Sequence, residues 1–327
     1  MGVAPWVALV LTLITVSLFH LLLIRLKEHR RRRHCKMVFL PPGSMGLPLI
    51  GETIEFFTRS PSLDLLPFFK QRLQRYGRIF KTNLVGKDLI VSLDPELNNY
   101  LFQQEEKAFQ IWFPESFMRI LGDENLVLSS GSFHKNIRNM ILRVFGPENL
   151  RLVLLHDVQG AVKRSLNSWL EMPSIELKPA ISSVWTSQLS FKQAPASINK
   201  ALQELEVIHE SLRLANIAPV LFRKAKQDVH IKGIIYSCYT IPEGWTVMVC
   251  LSAVHLNPTA YEDPCVFNPW RWKSGVQDIS EPVGGSKDFI AFGSGLRFCV
   301  GADFAKLQTA VFLHFFVTNY RYSSITD

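Results

Sequence analysis

The sequence predicts a mainly α-helical domain with small β elements, preceded by an apolar N-terminal segment. Apolar residues recur at intervals of three and four over several stretches, such as residues 302–316, which is the periodicity of an amphipathic helix. Only residues 80–82 and 89–93 are typical of short strands. With 327 residues, 47% of them hydrophobic, the chain is long enough to bury a sizeable core.

The N-terminal segment, residues 1–24, carries no Lys, Arg, Asp or Glu. Its apolar run, residues 7–24, is long enough to span a bilayer, which takes about 20 residues. A cleaved signal peptide would require a basic start and a small-residue cleavage site, and neither is present. We therefore expect a retained transmembrane anchor in contact with membrane lipid, with a cleaved leader as the alternative.

A basic cluster follows the anchor. Residues 25–36 hold seven Lys/Arg and one Glu, a net +6 out of a total of +8. Such a flank favours an orientation that leaves the rest of the chain in the cytoplasm. Because the remainder carries only +2, the charge does not indicate a nucleic-acid partner. Five cysteines without paired spacing favour a reducing compartment.

The chain between the anchor and residue 214 contains several predicted elements. Pro41-Pro42-Gly43 is typical of a stiff spacer, because Pro fixes φ and lacks the backbone donor. Asp94 is a predicted N-cap ahead of Pro95. Residues 171–196 show weak periodicity. We predict helices over residues 64–76, 153–170 and 198–214.

A glycine- and serine-rich loop, residues 286–301, precedes the last predicted helix and contains Cys299 near its end. The helix dipole favours an anion at this position, and the thiolate is the form of cysteine that binds metal. Gly293, Gly295 and Gly301 allow tight turns and a close approach to a flat ligand. Arg297 is placed to pair with a ligand carboxylate. A buried structural cysteine is the alternative.

The spacing Phe-x-x-Gly-x-Arg-x-Cys-x-Gly, which runs from Phe292 to Gly301, resembles the haem-binding loop of the cytochrome P-450 family. The resemblance implies haem b as cofactor, with Cys299 as the thiolate ligand of the iron. It also implies that Phe292 packs near the sulfur and that Gly293 and Gly295 belong to the cofactor-binding loop. Thiolate ligation favours cleavage of the O–O bond of bound oxygen.

His134 and Arg138 are four residues apart, on one face of a probable helix. The family usually has Trp and Arg at this spacing. The resemblance implies that His134 and Arg138 contact haem propionates together with Arg297. The His variant is similar to sterol- and triterpenoid-oxidising plant members. A solvated pair on a surface helix is the alternative.

Glu210 and Arg213 are spaced for an ion pair within one helix. Together with Phe267-Asn268-Pro269-Trp270-Arg271-Trp272 they resemble the family's core salt-bridge triad. The resemblance implies that Glu210, Arg213 and Arg271 lock the chain behind the haem. Their role would be in folding, not in catalysis.

The sequence also departs from the family pattern. Only 72 residues separate Arg138 from Glu210, and this interval contains no element like the family's oxygen-side helix. Residues 234–238 interrupt a segment that the family runs together, and the chain stops 28 residues after Cys299. We predict a cytochrome P-450 fold that is centrally deleted and C-terminally truncated. The predicted domains are a transmembrane anchor (1–24), a basic and proline-rich linker (25–43) and an incomplete cytochrome P-450 domain (44–327).

The resemblance implies a monooxygenase that hydroxylates a sterol or triterpenoid-like lipophilic substrate. Electrons would come from an NADPH-dependent reductase, at an endoplasmic reticulum membrane with the globular part in the cytoplasm. No catalytic residue is identified, because the missing helix supplies the family's proton path. A non-catalytic truncated or splice-variant product, with or without haem, is the alternative. A tethered interaction protein without cofactor is a second alternative, which the intact Cys299 loop disfavours.

Overall fold

The computed structural model describes most of the chain after the basic cluster. The described residues are 39–48, 50–58, 64–122, 129–150, 154–176, 178–182, 205–231, 239–273 and 286–321. The predicted anchor at residues 1–24 and the interruption at residues 234–238 lie outside them. Among the described helices, none is both long and apolar enough to cross a membrane.

Helices dominate the described structure. They are α1 (Thr53–Phe56), α2 (Pro67–Tyr76), α3 (Pro95–Gln103), α4 (Glu115–Leu121), α5 (Gly131–Phe145), α6 (Pro147–Asn149), α7 (Leu155–Trp169), α8 (Leu205–Ala215), α9 (Leu251–His255) and α10 (Ala302–Asn319). Two short 3₁₀ turns lie at Pro269–Trp272 and Gly295–Arg297.

The β part is larger than the sequence predicts. The strands are β1 (Ile79–Leu84), β2 (Lys87–Ser92), β3 (Phe109–Ile111), β4 (Val220–Ala225), β5 (Val229–Ile231), β6 (Tyr239–Ile241) and β7 (Thr246–Cys250). Five of them form a sheet of order β1-β2-β7-β4-β3, and β5 pairs with β6. Only β2 and β7 are parallel neighbours, with Leu89 opposite Thr246. The two predicted strands are confirmed as β1 and β2, whereas β3 to β7 were not predicted.

The sheet is the centre of the core because both of its faces are covered. Successive side chains of a strand point to opposite faces. On β2, Leu89 and Val91 accordingly pack in one cluster with Phe69 of α2, and Ile90 packs in another with Leu101 of α3. The buried sheet thus fixes the positions of α2 and α3.

The two helices on the sheet begin where local chemistry places them. The carboxylate of Asp94 accepts a hydrogen bond from the Leu97 N–H at 2.9 Å, so the predicted N-cap of α3 is confirmed. Helix α2 begins at Pro67, three residues later than predicted. Proline is favoured in the first turn, where its missing N–H leaves no bond unmade. Asp64 instead accepts from the Leu65 N–H at 2.7 Å.

A second packing unit joins α7 and α10. Val158 and Val162 lie on one face of α7 and pack with Val311 and Phe312 of α10. Helix α7 lies within the predicted residues 153–170, and α10 extends the predicted helix to Asn319. This contact holds the helix that follows the Cys299 loop.

Helix α5, which is 15 residues long, differs from the other long helices because none of its side chains is buried. It is nevertheless amphipathic, and Phe133, Met140 and Val144 are 60%, 65% and 49% exposed. An amphipathic helix ordinarily buries its apolar face against a neighbour. The described residues supply little of that cover.

Candidate functional site

Cys299 lies three residues before α10, and its side chain is exposed. The Cys299 N–H donates to the Phe292 carbonyl at 2.9 Å, and the Ala302 N–H donates to the Cys299 carbonyl at 3.3 Å. These two bonds fix the backbone on both sides of the thiol, which remains accessible to a ligand. Cys250, by contrast, is fully buried, and burial raises the pKa of its thiol to about 11. Among the three cysteines in the described part of the chain, only Cys250 is buried.

Two glycines shape the loop and a third leaves it open. Gly293 and Gly295 have φ values of +75° and +65°, a region that favours glycine. A Cβ on Gly295 would lie 2.4 Å from the Phe102 carbonyl oxygen, so only glycine lets the loop pack against the end of α3. A Cβ on Gly301 would meet nothing within 4 Å. The loop thus has open space close to the thiol.

Phe292 lies beside the same turn. Its ring is 6.5 Å from the Phe298 ring between centroids, in an edge arrangement. The ammonium of Lys306 lies 5.7 Å from the Phe292 centroid. The carbonyl of Phe292 also receives the Cys299 N–H, so the residue helps to set the conformation that presents the sulfur.

The structure brings the predicted cationic residues together on one side of the loop. Arg138 of α5 donates through Nη1 to the carbonyl of Phe298, the residue before Cys299. His134 lies one turn earlier on α5 and is partly buried. Its pKa is lowered, first by that burial and then by the positive charges of Arg297 and Arg138. His134 is therefore expected to be neutral at pH 7.

A buried carboxylate that the sequence did not single out supports Arg297. Glu105 follows α3, and its Oε1 lies 3.4 Å from Nε of Arg297. Its Oε2 lies 2.5 Å from Nε of Arg223 on β4. Neither Glu105 nor Arg223 has a local sequence signal, because the two residues meet only through the pairing of β3 with β4.

The predicted triad forms one buried network. Arg213 donates to both oxygens of Glu210, at 2.7 and 2.8 Å, and Nε of Arg271 donates at 3.2 Å. The Trp272 indole N–H also donates to Glu210, at 3.0 Å. Burial alone raises the pKa of Glu210, but the hydrogen bonds and charge of Arg213 outweigh it and hold this pKa below the usual value.

The network reaches the Cys299 loop through His255, which the sequence analysis did not assign. Arg213 donates to the His255 carbonyl at 2.7 Å. The His255 Nε2 accepts from the Ile290 N–H at 3.1 Å, and its Nδ1 donates to Asn216 at 2.8 Å. Burial lowers the pKa of His255 to about 3, so the ring is neutral and its tautomer is fixed. The start of the loop is thereby tied to the triad.

The donor set fits a flat, metal-centred cofactor that carries carboxylates. It offers one accessible thiol, open space at Gly301, and the arginines Arg138 and Arg297 with neutral His134 beside them. A soft metal is the natural partner of a thiolate, and arginine is the natural partner of carboxylates. Haem has this combination of groups.

Comparison with known proteins agrees with this assignment. The family model described as cytochrome P-450 matches residues 204–327. Cytochrome P-450 87A3 of Oryza sativa subsp. japonica is 34% identical, and the match covers 88% of this chain and 82% of that protein. The beta-amyrin 16-alpha-hydroxylase of Maesa lanceolata and the cucurbitadienol 11-hydroxylase of Siraitia grosvenorii are each 29% identical, with 88% of both chains covered.

A solved structure shows the same fold. The cyanobacterial CYP120A1 with bound retinoic acid superposes with a TM-score of 0.60 at 21% sequence identity, covering 85% of this chain and 91% of that one. The chain therefore belongs to the cytochrome P-450 family of haem-thiolate proteins. Its relatives lie in the plant branch that includes sterol and triterpenoid hydroxylases.

The same comparison shows that residues are missing relative to the family. The match with the rice protein runs over 428 positions, more than the 327 residues of this whole chain. The relative therefore carries many residues that have no counterpart here. This finding confirms that the chain is short for its family.

Proposed function

We propose that this protein binds haem b through the thiolate of Cys299. Arg297, Arg138 and His134 bind the haem carboxylates, and the turn from Phe292 through Gly293 and Gly295 to Gly301 lies against the ring. The observation that carries the proposal is the accessible thiol ahead of α10 with these side chains gathered beside it. When bound, thiolate-ligated haem supplies oxygen activation.

The chain's own residues hold the site in place. The Cys299 N–H bond to Phe292 sets the direction of the cysteine, and the bond from Arg138 to Phe298 ties α5 to the same turn. His134, neutral at pH 7, can donate one hydrogen bond without adding charge. The triad of Glu210, Arg213 and Arg271 fixes the chain behind the loop.

The proposed substrate is a sterol or triterpenoid-like lipophilic molecule. Relatives whose names specify beta-amyrin and cucurbitadienol as substrates support this class. The electrons for the reaction come from an NADPH-dependent reductase. We place the protein in the endoplasmic reticulum membrane, anchored once by residues 1–24 with its globular part in the cytoplasm, because of the charge-free run and its basic flank.

We further propose that this chain has little or no monooxygenase turnover. Oxygen chemistry requires a site from which water is excluded. The apolar face of α5 beside Cys299 is not covered by the described residues. The longer relatives carry residues that this chain lacks. A non-catalytic truncated or splice-variant product that keeps haem binding is therefore the second candidate.

The decisive experiment is a carbon monoxide difference spectrum of the reduced protein. Wild type is expected to give the Soret band of thiolate-ligated haem, and Cys299→Ala is expected to lose it. Cys265→Ala is the matched control, because Cys265 is also exposed but lies outside the loop. A spectrum unchanged in Cys299→Ala would show that another group binds the iron.

Turnover is measured separately, as hydroxylated product from a panel of sterols and triterpenes with reductase present. Haem binding without product supports the non-catalytic candidate. Efficient, coupled hydroxylation by this chain would contradict the low-turnover proposal and leave the haem site intact.

A further inference from the structure

We propose that Glu105 is a positioning residue, which orients Arg297 and through it governs how tightly the site binds the carboxylates of haem. The inference rests on the proposed haem-binding function. It identifies a residue outside the cysteine loop on which that binding depends.

Glu105 is held from three sides. Its side chain is 1% exposed, and each of its two oxygens faces one arginine, Arg297 at 3.4 Å and Arg223 at 2.5 Å. The Ile111 N–H also donates to Oε1, at 3.1 Å. A buried carboxylate with contacts on both oxygens has little freedom to rotate. It therefore defines the position of the Arg297 side chain, whose exposure is only 9%.

The backbone around Glu105 joins the elements that carry the proposed haem contacts. One residue before the end of α3, the Phe102 carbonyl packs against Gly295 of the cysteine loop. One residue after Glu105, the carboxylate of Glu106 accepts the Gly131 N–H at the start of α5, at 2.7 Å. The cysteine loop, α5 and β4 thus all meet the same short segment. If Glu105 is displaced, we expect the cysteine loop, α5 and β4 to shift relative to one another, and Arg297 to be the first residue affected.

Glu105 is flanked by two arginines, Arg223 and Arg297. Burial lowers the pKa of Arg223, and the positive charge of Arg297 lowers it further, while Glu105 opposes both. One carboxylate thus serves two arginines, and Arg138 adds a third positive charge at the loop. The carboxylates of haem are the proposed partners of Arg297 and Arg138. Glu105 contacts Arg297 from within the protein and anchors its side chain.

The test compares two ligands that differ only in their carboxylates. Haemin and haemin dimethyl ester are titrated into full-length protein, and dissociation constants are measured from the Soret absorbance. In Glu105→Gln, haemin affinity is expected to fall about tenfold, the lower end of losses seen when a partner behind a ligand-binding residue is removed. Ester affinity is expected to stay at the wild-type value, because the ester offers no carboxylate to Arg297.

Further variants keep the result interpretable. Glu96→Gln makes the same change in α3 at an exposed ion pair with Lys287, and both affinities are expected to match wild type. Glu105→Gln can also destabilise the fold, since it leaves Arg223 buried without its counter-charge. The double variant Glu105→Gln with Arg223→Met removes that charge. It is compared with Arg223→Met alone, because Arg223 adds positive charge near the site, and the selective loss for haemin is expected to persist in this comparison.

The outcomes distinguish a positioning role of Glu105 from a purely stabilising one, and both from a failure of the proposed haem-binding function. An equal loss for both ligands would mean that Glu105 acts only on stability, and no loss for haemin would mean that it does not position Arg297; either result overturns the inference. Wild type that binds haemin and its ester equally well would refute the proposed carboxylate contacts. Wild type that binds neither would overturn the proposed function and this inference together.

Discussion

The two sides of the Cys299 loop differ in how completely they are packed. On the side of α8, Glu210 and Arg213 are fully buried and Glu210 has partners on both oxygens. On the side of α5, no side chain is buried, although the helix carries an apolar face. Among the described residues, the chain behind the cysteine is therefore fully packed, whereas helix α5 beside it is not covered.

The difference follows from where the partners lie in the sequence. Glu210 is bonded within its own helix to Arg213 and, 58 to 62 residues further along the chain, to Asn268, Arg271 and Trp272. Helix α5 instead lacks an apolar neighbour among the described residues, and we predict from the sequence that the family's oxygen-side helix is missing from the interval between α5 and α8. The packing behind the cysteine and the cover beside it thus depend on different parts of the chain.

The largest expected effect on the free energy of unfolding is at the packed side of the loop, which contains α8. Glu210→Ala leaves Arg213 and Arg271 buried without their counter-charge, and breaking a buried pair in this way costs about 3–5 kcal/mol. Because this is a large part of the stability of a typical domain, we expect the variant to lose its cooperative unfolding transition in a urea titration followed by circular dichroism. Glu206→Ala on the same helix is the control and is expected to unfold like wild type. A fall below about 1 kcal/mol would contradict the structural role of the triad.

A matched phenylalanine pair tests the packing contrast directly. Phe69 is 0% exposed under the sheet, and Phe133 on α5 is 60% exposed. Phe69→Ala is expected to lower the free energy of unfolding by about 3–5 kcal/mol. Phe133→Ala is expected to change it by no more than about 0.5 kcal/mol. Chemical denaturation of both variants gives the comparison, and a large loss in Phe133→Ala would show that the face of α5 is covered in solution.

The smallest effect concerns pH. His209 on α8 is packed between Trp272 and Phe289, and burial, with a further contribution from the charge of Lys306, lowers its pKa to about 4. In the unfolded chain, His209 takes up a proton as the pH falls below its ordinary pKa of about 6.5. In the folded chain, it does so only near pH 4. The contribution of neutral His209 to the free energy of unfolding is therefore complete above pH 6.5. It is lost as the pH falls towards 4, by up to about 1.4 kcal/mol per pH unit.

His209→Phe removes this titration while keeping a ring in the aromatic cluster. We expect the variant to lose less stability than wild type between pH 7 and pH 5, measured by urea denaturation at each pH. His230→Phe, at the exposed position of β5, is the matched control for replacing a histidine with a phenylalanine. Identical pH dependence in His209→Phe and wild type would contradict a neutral, buried His209.

Local signals in the sequence determined several secondary-structure elements of this protein and the family to which it belongs. The Asp94 cap, the strands β1 and β2, and the helix after Cys299 were all predicted, because each depends on residues within a few positions of one another. The spacing around Cys299 also determined the family, and the match with the rice relative confirmed it. The predicted anchor, the cofactor contacts and the substrate class remain predictions.

Only the tertiary structure decided which distant residues meet. The parallel pairing of β2 with β7 joins Leu89 to Thr246, and the buried contact of Glu105 with Arg223 depends on the same sheet. Neither pairing leaves a periodic or spacing pattern along the chain. The exposure of α5 is likewise a property of what packs against it and not of its own sequence. Local propensity selects helices and strands, but the free energy of burial and charge pairing is realised only between elements that folding brings together.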